Sequence, residues 1–323
     1  MKSLLKRFVP NFLKKRLSRL KKKRRNKLLI KKTAPTTIEE IEAGLRLLGV
    51  KQGDCILLHS SLKSVGYLTR GPNDLLDAFI KTLLPTGTLV IPTYPLLGTM
   101  LKTCTDPNYI FDPNSSSSTV GAVPSSFLNY KGIQRSLHPT HSMSAIGKDA
   151  ANITKEHHIG NKTYGANSPW SKIIEQNGKI IGIGISLAWH TIYHYVEDIM
   201  GEEFPIKVNV SENYNVKCKT KTGQLIDVVV NPLDPEIAKT RIEKNPFILK
   251  YLTEICEHTD VIKYGEIGAA KTWIVDAGEF CNLLIKLASI GITIYNNESE
   301  LTAKNLYPLK LIRNKLAETV GSD

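Results

Sequence analysis

Three short apolar runs set the pattern of the chain: CILLH (55–59), TLVIPTY (88–94) and KIIGIGI (179–185). Each is nearly continuous rather than alternating, as a strand covered on both faces would be. The segments between them carry helical period. Thr37 and Glu40 form a capping box ahead of one helix, and Gly49 follows its last apolar turn. Further helices are predicted over 72–84, 119–130, 169–177, about 190–200, 235–257 and 276–290, with 98–118 read as loop ending in Ser115–Ser118. Residues 215–230 alternate around Thr222-Gly223, the signature of a hairpin. The sum is an α/β layered domain with a central mixed sheet. No internal repeat is evident.

Composition sharpens this. The chain has 323 residues, is 41% hydrophobic and 23% charged, and has a formal net charge of +13. Of its 43 Lys and Arg, 15 fall in residues 1–32, which hold no acid; that leaves 28 cations against 30 Asp and Glu elsewhere. The body therefore lacks the basic excess of a nucleic-acid binder. The division expected is a basic leader (1–32), one domain (33–295) and a C-terminal extension (296–323). Leu13, Leu17 and Leu20 recur at helical spacing among the leader's cations. Such a segment is either a solvated leader or one that lies on an anionic membrane surface. It has no continuous apolar core and so is not a secretory signal. No apolar run reaches the ~18–20 residues that span a bilayer. Five dispersed cysteines with no CxxC pair argue against a disulfide framework and a structural zinc site. The expectation is a cytoplasmic protein, with the leader offering a peripheral hold on the inner membrane face.

Candidate chemistry gathers in three places. In HTIYHYVED (190–198), a helix would put His194 and Glu197 at i, i+3 on one face, with His190 one turn earlier. An imidazole beside a carboxylate is the arrangement of a general base. The i, i+4 histidines also fit a zinc helix, but HTIYH lacks the Glu of HExxH. The second place is the strand end and loop LLHSSLKSVG (57–66), with Ser60, Ser61 and Ser64 hydroxyls and the Lys63 cation suited to a phosphorylated ligand. The third is LHPTHSMSAIG (137–147), with His138, His141 and Ser142 in a Pro-containing loop. GxGxxG after the first strand, GxxxxGK[ST] and GxSxG are all missing, which disfavours a dinucleotide fold, a P-loop NTPase and a serine hydrolase.

In this order, HSSLKSVG, PTGTLVIPTY (85–94), HPTHSMSAIG, YGANSPW (164–170), GISLAWHTIYHYVE (184–197), FPIK (204–207) and GEIGAA (265–270) resemble the aminoglycoside N3-acetyltransferase family over about 36–290. The resemblance implies that family's own α/β fold, distinct from the GNAT fold, with acyl-CoA (acetyl-CoA) as donor, an amino sugar as acceptor and no metal. It implies His194 as general base, Glu197 as its orienting carboxylate and Thr191 as a Thr that precedes the base by three residues. It sets His59, Ser60, Ser61, Lys63, Ser64, Val65 and Gly66, with His138, His141 and Ser142, on the acyl-CoA side of the cleft. Many drug-modifying members carry Asp six residues before the base; this chain has Ala188 there, beside Trp189. The resulting expectation is a CoA-dependent N-acyltransferase acting on a nucleotide-linked or surface-polysaccharide precursor sugar. The alternatives are an aminoglycoside N3-acetyltransferase conferring resistance and, from another class, a non-catalytic membrane-associated sugar-binding protein.

Overall fold

A computed structural model describes residues 34–309; the basic leader lies outside the described residues. In chain order the strands are β1 (Cys55–Ser60), β2 (Thr88–Pro92), β3 (Ile110–Phe111), β4 (Gln134–Arg135), β5 (Met143–Gly147), β6 (Lys179–Ile183), β7 (Tyr214–Lys219), β8 (Leu225–Val230), β9 (Ile262–Ile267) and β10 (Ala270–Asp276). The longer helices are α1 (Ile38–Leu47), α2 (Pro72–Leu83), α3 (Pro169–Glu175), α4 (Ile192–Met200), α5 (Pro246–His258) and α6 (Ala277–Ser289).

Seven strands form one sheet in the order β4-β5-β2-β1-β6-β10-β9. Its centre, β2-β1-β6, is parallel, and the flanking pairs are antiparallel, giving the mixed sheet expected of an α/β protein. The period of two along each strand sorts the core into two layers. Ile56 and Leu58 of β1, Leu89 and Ile91 of β2, and Ile181 and Ile183 of β6 join the layer covered by α1 and α2. Cys55, Leu57, Val90 and Ile180 join the layer under α3, α4, α5 and α6. His59 follows Leu57 by two, so the alternation sends its side chain toward the second layer, the one that holds α4. All five cysteines are free and buried.

The 215–230 hairpin forms as β7-β8, and β3 pairs parallel to β7 to make a three-stranded sheet. Residues 98–118, read as loop, also contain a short helix (Met100–Cys104). Five strands were not foreseen: the two-residue β3 and β4, β5 within the supposed loop 137–147, and the β9-β10 hairpin at 262–276. The helix expected over 235–257 begins only at Pro246, where Asn245 caps it and accepts from the Ile248 amide. The helix expected over 119–130 is confined to Ala122–Phe127. Residues 296–309 continue into the body: Leu301 and Leu306 are buried in the second layer, and Leu306 O accepts from the Tyr251 hydroxyl.

Candidate active site

The C-terminal ends of the parallel strands β1, β2 and β6 converge on a cavity of about 350 Å³ lined by His59, Tyr94, His141, Tyr164, Thr191, His194 and Arg241, among others. β1 leads to β2 on one side and pairs with β6 on the other, so the chain parts around its end, the usual place for a ligand crevice in an α/β sheet. A second cavity, about 470 Å³, adjoins it and shares His59, Tyr94 and Trp189; Ser60, Thr119, Val120 and Ile185 also line it.

Glycine lets the loops close around this point. Gly184 follows β6 with φ +63°, and a Cβ there would stand 2.3 Å from Ser64 Cβ. The loops after β6 and β1 thus meet in contact, tied by Ser64 Oγ donating to Gly184 O at 3.3 Å. A Cβ on Gly182 would enter the Trp273 ring, whose indole N–H donates to Ile185 O at 2.9 Å.

α4 is buried along most of its length, with Ile192, Tyr193, His194, Val196 and Glu197 inside. Its i, i+3 spacing brings His194 Nδ1 to 2.6 Å from Glu197 Oε2. The other oxygen of Glu197 accepts from the Tyr295 hydroxyl at 2.8 Å. A carboxylate this deep needs such partners. Arg241 Nη1 lies 3.0 Å from His194 Nε2. A guanidinium only donates, so Nε2 presents a lone pair and the ring proton sits on Nδ1, toward Glu197. The ring lies 5.1 Å from that of Tyr164, which packs edge-on against Trp170 at 4.7 Å. Trp170, placed by the Ser168 cap and Pro169 at the start of α3, donates to Thr191 Oγ1 at 2.9 Å.

Arg241 precedes the short turn Ile242–Lys244 that crosses the cavity. Its Nε donates to both oxygens of Glu243, at 2.7 and 2.8 Å. Burial alone would lower the Arg241 pKa, but the Glu243 partner holds it above its ordinary value. Burial likewise opposes the Glu243 charge, and the Arg241 hydrogen bond and field hold that carboxyl below its ordinary value.

The other residues singled out in the sequence divide. His141 reaches the cavity, its ring tilted against that of Tyr94 at 4.5 Å. His59 lines both cavities, and Ser60 the second. Ser61 and Ser64 bond to each other at 3.3 Å, Val65 is fully buried in the first layer, Gly66 takes φ +109°, and Lys63 is exposed. His138 stacks on His157 at 4.4 Å with Nδ1 accepting from the His141 amide, and Ser142 Oγ accepts from Arg135 Nε at 3.3 Å. Those two sit behind the cavity wall. His190 lines the cavity amid Tyr193, Trp273 and Phe280, and neither of its ring nitrogens has a partner among the described residues. His194 has both nitrogens engaged, and no group of three or more His, Cys, Asp or Glu among the described residues is arranged to hold a metal. Sequence reasoning missed Arg241, Tyr164 and Tyr295. For Arg241 a signal existed: Asn245-Pro246 marks a helix start, which turns 235–245 into a connecting segment.

The profile of a family described as aminoglycoside 3-N-acetyltransferase matches residues 57–289. Aminoglycoside N(3)-acetyltransferase IX of Micromonospora chalcea is 24% identical over 78% of this chain and 92% of its own. Aminoglycoside N(3)-acetyltransferase III of Pseudomonas aeruginosa is 30% identical over 50% of this chain and 64% of its own. A solved structure titled AAC-IIIb binary with CoASH shares the fold at TM-score 0.66 and 23% identity, covering 82% of this chain and 100% of that one.

Proposed function

The chain belongs to the aminoglycoside 3-N-acetyltransferase family, and on that premise we propose that it transfers the acetyl group of acetyl-CoA to the amine of an amino sugar, with His194 as general base. The observation that carries this reading is the His194–Glu197 pair, 2.6 Å apart and buried, with Nε2 turned to the cavity.

Acetyl-CoA supplies the thioester carbonyl. An ammonium has no lone pair, so the acceptor amine must shed a proton, and His194 Nε2 takes it. Glu197 then faces an imidazolium across one short hydrogen bond, while the Tyr295 hydroxyl keeps the carboxylate from turning away. The Thr191 hydroxyl accepts from Trp170 and keeps its own proton to donate beside the base. His59 and Ser60 open onto the second cavity, which supports laying the donor arm there, with the Ser60–Gly66 loop as the source of donors to the developing oxyanion. His141 lines the first cavity beside Tyr94. His138 and Ser142, behind the cavity wall, serve this reading by holding the loop of His141.

For the acceptor, the names of the relatives favour an aminoglycoside. A second reading, a less cationic precursor sugar, rests on the wall itself. Ala188 stands where many drug-modifying members carry Asp, and Glu243, the one carboxylate lining the cavity among the described residues, is already paired with Arg241.

The test is CoA thiol release from acetyl-CoA with glucosamine and kanamycin as acceptors. His194→Ala should lower turnover by about 10²–10⁴-fold, the usual worth of a general base, with little change in acetyl-CoA affinity. Turnover equal to wild type would end the assignment. Absence of release with any amine would favour a sugar-binding protein instead.

A further inference from the structure

We propose that Arg241 is the specificity residue of the acceptor site: it selects an amino sugar that carries an acidic group, phosphate or carboxylate, beside the amine to be acetylated. This inference rests on the acyl-transfer reading above and concerns which amine reaches the base.

The base is occupied as it stands. Arg241 Nη1 donates to the lone pair of His194 Nε2, the pair that must take the amine's proton. An incoming amine therefore has to displace a permanent cation. A polycationic acceptor worsens that exchange, since it brings like charge and offers the guanidinium nothing to bind. An acidic group next to the amine reverses it. The guanidinium fork leaves the imidazole for the anion, gains charge-assisted hydrogen bonds, and frees Nε2 as the amine arrives.

The surroundings agree. Glu243 engages the Nε and Nη2 side of Arg241, which leaves Nη1 as the tine that reaches the base. Lys244, at the cavity rim, rests its ammonium on the Ala238 carbonyl at 2.9 Å and has no carboxylate partner among the described residues. Among the described residues the wall thus holds two permanent cations and one carboxylate, and that carboxylate is committed. Arg241 Nη1 is 3.0 Å from Nε2, and charge-assisted hydrogen bonds run about 2.7–2.9 Å. The anion and the amine accordingly sit on adjacent or nearly adjacent atoms of the acceptor.

The experiment compares kcat/KM for four acceptors at fixed acetyl-CoA: glucosamine 1-phosphate, 2-amino-2-deoxygluconic acid, glucosamine and kanamycin. The first two separate phosphate from carboxylate as the recognised acid. At least one of them should exceed both glucosamine and kanamycin by tenfold or more. In Arg241→Gln that advantage should fall to within threefold while the KM for acetyl-CoA holds, and Arg241→Lys should keep part of it. A purely structural Arg241 would lower all four acceptors together. Should Arg241→Gln fail to fold, inorganic phosphate on the wild type gives the same answer: it should compete with glucosamine and not with acetyl-CoA. Kanamycin or glucosamine as the preferred acceptor, or a preference for the acid that survives Arg241→Gln, would overturn the inference and leave acetyl transfer standing. No acetylation of any of the four would sink the acyl-transfer reading itself.

Discussion

Tyr295 donates its hydroxyl to Glu197 Oε1 at 2.8 Å, so the carboxylate that faces His194 is held from both sides. The two residues are 98 positions apart, joined only because the segment after α6 folds back beneath α4. Glu197→Gln keeps the shape and removes the charge opposite the imidazolium. Turnover should fall by about tenfold to 10³-fold, less than for His194→Ala. Tyr295→Phe should cost less again, under about tenfold, because the remaining hydrogen bond still orients the carboxylate. Steady-state kcat with acetyl-CoA saturating measures both. A Tyr295→Phe enzyme more impaired than Glu197→Gln would reverse the assigned order.

Acid should destabilise the protein well before its carboxylates titrate. Burial pushes His59 down to about 4 and His157 down to about 3 from an ordinary 6.5, and holds His138, His141 and His190 well below that value. The unfolded chain takes up these protons near pH 6.5 and the folded chain does not. Stability is therefore full above pH 6.5 and falls as pH drops toward 4, each histidine contributing up to about 1.4 kcal/mol per pH unit. Urea unfolding at pH 7.5, 6.5 and 5.5 would show this as a falling midpoint. A flat midpoint across that range would mean these imidazoles are protonated in the fold.

Gly184→Ala should harm both the fold and the cavity. The residue stands at φ +63° and its new Cβ would overlap Ser64. The expected loss is about 1–3 kcal/mol, the range for overpacking and for a side chain in a left-handed site. Chemical denaturation gives the number, and a variant as stable as wild type would show that the two loops do not meet as described.

Residues 1–32 are expected to be dispensable for chemistry and to promote binding to anionic lipid. The attraction should weaken with salt, since the Debye length falls from about 10 Å at 0.1 M to 3 Å at 1 M. Co-sedimentation with phosphatidylglycerol vesicles would compare the full chain with one beginning at Thr33. Equal binding by both would remove the leader as the membrane element.

The central strands were legible because β1, β2 and β6 are apolar on both faces, and α4 because its polar pair sits at helical spacing. β5 was hidden by its serine. Ser144 is buried in the strand, but its hydroxyl meets Thr93 Oγ1 at 2.7 Å just past the end of β2, so a polar residue that reads as loop is satisfied at the sheet. β9 was hidden by Tyr264 and Gly265 at a sheet edge, where exposure breaks the apolar run. The supports of the base could not be read from spacing at all. Arg241 and Tyr295 reach α4 only through the return of the chain after the hairpin and after α6, a property of the fold rather than of any local pattern.

Two cavities that share His59, Tyr94 and Trp189 as a common wall have a kinetic meaning. Two adjoining cavities leave donor and acceptor room to be present together, so neither has to leave before the other reacts. Among the described residues no cysteine lines either cavity, and burial pushes the Cys55 thiol, the one nearest in sequence, up to about 12. No thiol there is placed to carry the acetyl group between two half-reactions. Initial rates plotted against one substrate at several levels of the other should intersect, the mark of a ternary complex, and parallel lines would place an acetylated enzyme on the path.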